Sequence, residues 1–139
     1  MHATCLCGAV RVALPRQPDY INDCNCSLCR RVGGAWGYFS AREVEVSGET
    51  GTFTRTDMEN PAVTVHFCRS CGTTTHWTLS DAYQKAHPEL DRMGVNMKLF
   101  APAELVGIEI RFPDGDGWTG EQPPQPRRAP FVLNASTDW

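Results

Sequence analysis

Seven cysteines fall into three tight groups in this 139-residue chain: Cys5 with Cys7, then Cys24, Cys26 and Cys29, then Cys68 with Cys71. Zinc binds thiolates at about 2.3 Å in a tetrahedron, which places neighbouring sulfurs roughly 3.8 Å apart. Alternate residues of a flat strand point the same way but stand about 6.7 Å apart. Cys5 and Cys7 can therefore share one ion only on a bent backbone, and Gly8 permits the bend. Cys68 and Cys71 are spaced as the two ends of a turn, with Gly72 following where the chain must leave at positive φ. Two such turns facing each other complete a four-cysteine site.

Cys24, Cys26 and Cys29 are then left as three thiolates on one short loop, with no eighth cysteine to join them. Three protein ligands with a fourth position kept for solvent or substrate is the pattern of a reactive zinc centre. His2, His66, His76 and His87 are available to close the site instead. In that alternative all seven cysteines serve folding. All-sulfur tetrahedra suit zinc or iron, but an iron–sulfur cluster draws on four cysteines each, so zinc is the expected metal. Disulfides are not expected. The first ten residues, MHATCLCGAV, lack the regions of a secretory signal, which leads us to expect a cytoplasmic chain with reduced thiols.

The elements that must hold these groups read as mainly β. GAVRVAL at Gly8 to Leu14 alternates Val10, Val12 and Leu14 with small or polar residues. GGAWGYFSAREVEVSG, GTFTRT, AVTVHF and TTTHWTLS are rich in β-branched and aromatic residues and are broken by glycines. ELVGIEIRF reads as a late strand. Helical character is confined to DAYQKA at Asp81 to Ala86 and to SLCRR beside the central cysteines. Residues 1–112 form the expected zinc-binding domain. Residues 113–139, rich in proline, glycine and aspartate, read as an irregular extension that wraps the surface or moves.

CLCGAVRV, CNCSLCRRVGG and FCRSCGT together resemble the glutathione-dependent formaldehyde-activating enzymes, a family also associated with centromere protein V. The resemblance runs from about Thr4 to Phe112 and takes in all seven cysteines in order. It implies a β-tent zinc fold with two zinc ions. One is structural, on Cys5, Cys7, Cys68 and Cys71; the other is catalytic, on Cys24, Cys26 and Cys29. It further implies a carbon–sulfur lyase or adduct-forming enzyme, akin to an S-hydroxymethylglutathione synthase, acting on glutathione or a similar thiol and formaldehyde or another small aldehyde. MGVNMKLF departs from the Asp- and Ser-containing GSLDDP-like stretch of many members, and nothing after Phe112 matches.

Glutathione is anionic, so cations should rim such a site. Arg30 and Arg31 adjoin the last ligand, and Arg42, Arg69 and Lys98 are further candidates. Gly33 and Gly34 would let a ligand approach backbone amides, and Trp36 and Tyr38 could line the wall. His66 is expected as a hydrogen-bonded neighbour of the ligands or a surface residue. His76 could return toward the pocket. A net charge of −3 argues against nucleic acid, and no apolar run is long enough to span a membrane. The alternative to an enzyme is a zinc-stabilised β module that binds a protein or small thiol without turnover.

Overall fold

The computed structural model describes residues 1–119, 121–136 and 139. In chain order its regular elements are β1 (His2–Thr4), β2 (Arg11–Ala13), β3 (Tyr20–Asn22), α1 (Ser27–Val32), β4 (Trp36–Phe39), β5 (Glu45–Ser47), β6 (Thr50–Thr54), β7 (Val63–Cys68), β8 (Thr74–Leu79), α2 (Asp81–Ala86), β9 (Met93–Asn96), β10 (Glu109–Arg111) and β11 (Phe131–Val132). The expected mainly-β architecture with short helical turns is what forms. Two compact units divide the chain: Met1–Arg16 with Tyr38–Val95, and Gln17–Gly37 with Asn96–Trp139.

In the first unit, β1, β2 and β5 form an antiparallel sheet with Ala3 opposite Val12 and Val12 opposite Val46. Ala3 and Val12 are buried while their strand neighbours are not, the period-2 pattern of a half-buried sheet. β6, β7, β8 and β9 make a second antiparallel ladder, with Val65 opposite Trp77 and Trp77 opposite Gly94. A Cβ at Gly94 would lie 2.1 Å from Trp77 Nε1, so glycine is what lets the indole lie across β9. All four β9 residues are buried, which erases the alternation that marks a strand in sequence. The pairing of β7 with β8 shifts between His66 and Phe67, a local irregularity just before Cys68. α2 spans the expected residues and starts on Ser80, whose hydroxyl accepts from the Tyr83 amide.

In the second unit, β10 is flanked by β3, parallel to it, and by β11, antiparallel to it. Ile21 of β3 also faces Gly37 at the start of β4. Ile21, Met97, Leu105, Ile110, Phe112 and Leu133 form a fully buried core. The late strand is shorter than expected: of ELVGIEIRF only Glu109–Arg111 is extended. Pro102–Leu105 coils into a 3-10 helix and Gly107 turns the chain at φ 91°, which breaks the run.

The segment after Phe112 is less of a loose tail than its composition suggests. Phe131–Val132 is a strand, and the Leu133 amide donates to Ile108 O at 2.9 Å while Leu133 O accepts from Gly107. Burying Leu133 stabilises the second unit by on the order of 2 kcal/mol. Gly120, Thr137 and Asp138, part of the expected extension, lie outside the described residues.

Candidate metal centres

Two backbone turns in the first unit build the four-cysteine cluster. In one, the Gly8 amide donates to Cys5 O and Gly8 takes φ 78°. In the other, the Gly72 amide donates to Cys68 O and Gly72 takes φ 72°. Each glycine supplies the left-handed step that curls two sulfurs to one side. Cys5 Sγ and Cys7 Sγ are 3.6 Å apart, and Cys7 Sγ and Cys68 Sγ 3.7 Å. These are the edges of a tetrahedron around an ion that binds sulfur at about 2.3 Å. All four sulfurs of Cys5, Cys7, Cys68 and Cys71 lie within 4.8 Å of one another. The cluster rests on Val10, with Cys5 and Cys68 themselves buried and Val46 packed alongside.

Hydrogen bonds finish this cluster. The Val10 amide donates to Cys5 Sγ at 3.2 Å. Thr73 Oγ1 stands 3.2 Å from Cys71 Sγ and accepts from the Leu6 amide at 3.3 Å, so one hydroxyl ties the two turns together. Thr73, by its hydroxyl and its amide, holds the Cys71 thiol down to about 5. Thr73 carried no sequence signal of this role, because the Leu6 contact closes 67 residues of chain.

The three-cysteine cluster belongs to the second unit, at the start of α1. Cys24, Cys26 and Cys29 bring their sulfurs within 4.8 Å of one another, all partly exposed. Each sulfur receives at least one N–H. The Cys26 amide points to Cys24 Sγ at 3.4 Å, the Cys29 amide to Cys26 Sγ at 3.4 Å, and the Trp36 indole Nε1 to Cys29 Sγ at 3.2 Å. Cys26 thus also caps α1 through its side chain. Hydrogen bonds donated to sulfur favour the ionised form. Shared protons concentrate the charge on Cys26, which contacts with Cys24 and Cys29 pull down to about 2. Cys24 is pushed up chiefly by Cys26, and Cys29 by Cys24 and Cys26. A dication among three such sulfurs would relieve that competition and hold all three as thiolates.

Helix α1 ends where Gly33, at φ 65°, donates its amide to Cys29 O, and Gly34 donates to the same carbonyl at 3.1 Å. A Cβ on Gly34 would stand 2.1 Å from the Trp36 ring, so Gly34 makes the room through which the buried indole reaches Cys29. Arg30 is exposed, and Arg31 turns back to Ser27 O at 2.9 Å. Arg42 pairs with Asp91, and Arg69 donates to Thr50 O. Lys98 is exposed. Tyr38 packs against Trp77, with the Arg92 guanidinium 4.1 Å from its ring centre.

No histidine or carboxylate joins either cysteine cluster among the described residues. His66 and His76 instead stack on each other, ring centres 4.2 Å apart, in the first unit. His66 Nε2 meets Thr78 Oγ1 at 2.9 Å, and His76 Nδ1 meets Thr75 Oγ1 at 2.9 Å. His66 also borders an open groove of about 440 Å³ lined by Thr52, Thr54, Thr64 and Thr78, which contains no cysteine. Burial, and then the charge of His66, lowers His76 to about 3. Below its unfolded value near 6.5 the unfolded chain takes up the proton and the folded protein does not. This contribution to stability is therefore complete above pH ~6.5 and lost as pH falls toward 3. Chemical denaturation between pH 6.5 and 4 should show a steeper loss in wild type than in His76→Phe, by up to ~1.4 kcal/mol per pH unit. Parallel profiles would mean that His76 protonates freely in the fold.

A crystal structure of a Rhodobacter sphaeroides protein from a structural-genomics programme shares the fold, at TM-score 0.57 and 24% identity over 78% of this chain and 97% of that one. No curated protein matches. The family model of the glutathione-dependent formaldehyde-activating enzyme matches residues 1–99, a stretch that holds every cysteine and well over half of the sequence. On that match the chain belongs to the glutathione-dependent formaldehyde-activating enzyme family.

Proposed function

We propose that this protein is a zinc-dependent carbon–sulfur lyase or adduct-forming enzyme that joins glutathione, or a similar small thiol, to formaldehyde or another small aldehyde. The observation that carries the reading is the inequality of the two clusters. One has four sulfurs within 4.8 Å of one another, and the other has three with no fourth protein ligand among the described residues. Cys24, Cys26 and Cys29 would hold the zinc, which when bound would keep an incoming thiol ionised near neutral pH.

In the forward direction the substrate thiol gives its proton to solvent, and its sulfur forms the new bond to the aldehyde carbon. The carbon–oxygen double bond becomes single, and the oxygen takes a proton from solvent to give the hydroxymethyl thioether. Cleavage is the same sequence reversed. Cys24, Cys26 and Cys29 hold the reacting centre in this scheme, and the indole N–H of Trp36 orients Cys29. The exposed Arg30 is the cation placed to meet a carboxylate of the thiol substrate. Gly33, bare and exposed at the end of α1, leaves room beside the last ligand. Cys5, Cys7, Cys68 and Cys71 hold the second zinc as a structural site.

The test follows exchange between free and hydroxymethylated glutathione by carbon-13 nuclear magnetic resonance with labelled formaldehyde. The zinc-loaded protein should accelerate exchange at least tenfold over the spontaneous rate. Exchange at the spontaneous rate, with glutathione still bound, would favour the non-catalytic binding module.

A further inference from the structure

The family match ends at residue 99, yet the three-cysteine loop is completed by residues beyond it. Asn25, between the first two ligands, donates through Nδ2 to Asp114 Oδ1 at 2.8 Å. Its own Oδ1 accepts from the amides of Gly115 at 2.8 Å and Asp116 at 3.2 Å. One side chain thus meets three consecutive residues. Arg127 closes a second tie through Nη2, to Asp23 O at 2.8 Å and Asp23 Oδ1 at 3.0 Å. The intervening turn is braced internally, with the Asp114 amide on Gln125 O and the Arg127 amide on Phe112 O.

At the centre of this contact is Gly115. A Cβ built there would lie 2.4 Å from Cys24 Sγ and 2.9 Å from Cys26 Cβ. Gly117, two residues on in the same turn, would meet only Asp114 Oδ2 at 3.5 Å, an ordinary contact. Neither glycine has the positive φ that would itself demand glycine. The difference between them is what stands opposite: sulfur in one case, open space beside a carboxylate in the other.

We propose that Pro113–Gly117 is a wall of the three-cysteine centre, that Asn25 is the positioning residue that clamps it there, and that Gly115 sets how closely it covers Cys24. The wall decides from which side a thiol approaches and brings to that side the carboxylate of Asp114, which Asn25 holds. It thereby selects thiols that present a neutral or cationic group toward Cys24 and direct their carboxylates elsewhere. This deepens the reading under Proposed function and rests on it.

The experiment uses the full-length protein as purified. Zinc release to a chromogenic chelator is followed in two phases, and Cys24 alkylation by iodoacetamide is mapped by peptide mass spectrometry. Asn25→Ala and Gly115→Ala should each speed the second-site phase and Cys24 alkylation at least fivefold, with the first-site phase unchanged. Gly117→Ala should match wild type. Asn25→Asp sets two carboxylates against each other and should behave like Asn25→Ala, whereas adding Asp114→Asn should restore wild-type rates. Wild-type rates in Asn25→Ala or Gly115→Ala, or equal effects in Gly115→Ala and Gly117→Ala, would overturn the proposal. Should wild type carry a single zinc, the reading under Proposed function fails, and Cys24 alkylation still decides for or against the wall.

Discussion

Cys5→Ser should lose one metal ion per chain and leave the first unit unfolded at ordinary temperatures. Cys5 and Cys68 are buried, and their sulfurs come from turns more than sixty residues apart in sequence. An ion at this cluster is therefore a cross-link as well as a ligand complex. Structural zinc sites in small peptides contribute about 10–16 kcal/mol, which is comparable to or larger than the 5–15 kcal/mol that separates most folded domains from their unfolded states. Serine would in addition place a hydroxyl where a sulfur now accepts the Val10 amide and packs on Val10. Metal analysis together with thermal unfolding by circular dichroism reads both effects. A variant that kept two metals and the wild-type melting temperature would show that these four cysteines are not a metal site.

Cys26→Ser should have an equally large effect of another kind. The affinity of the second site should fall at least a hundredfold and thiol–aldehyde chemistry should disappear, while the melting temperature stays within a few degrees of wild type. Its ligands all lie on one six-residue stretch, so the ion closes no long loop. Helix α1 has no buried residue to lose, and serine is itself a good helix cap at the place where Cys26 now accepts the Cys29 amide. Isothermal titration with zinc, after the first site is filled, measures the loss. Unfolding as severe as in Cys5→Ser would mean that all seven cysteines are structural.

The cysteine clusters were legible in sequence because local spacing encodes them. Cys5-Leu-Cys7-Gly8 and Cys68-Arg-Ser-Cys71-Gly72 each contain the whole turn, down to the glycine at positive φ. The strands with clear alternation, such as Val63–Cys68, were legible for the same reason. β9 was hidden because both of its faces are buried, and β1, β3 and β11 because three residues or fewer carry no period. Trp36 was open to two readings in sequence, a wall residue or a core residue, and it is buried. Its donation to Cys29 depends on Gly34 lying under the ring, which spacing alone does not reveal. Asn25, Gly115 and Thr73 were invisible, since their partners come from 67 to 91 residues away and nothing in the intervening sequence points to them. The C-terminal segment read from its prolines and glycines as an irregular extension that wraps the surface or moves; composition alone could not show that Leu133 is core or that Asp114 is bound to the cysteine loop.

The central claim is that Cys24, Cys26 and Cys29 hold zinc with one position kept for a substrate sulfur. X-ray absorption at the zinc edge, on protein carrying two zinc ions, measures the mean sulfur count directly. One four-sulfur and one three-sulfur site average about 3.5 sulfurs per zinc, the remainder being a light atom. Saturating glutathione should raise that mean to about 4 and remove the light-atom shell. A mean that stays near 3.5 in glutathione, or that already equals 4 without it, would contradict the account.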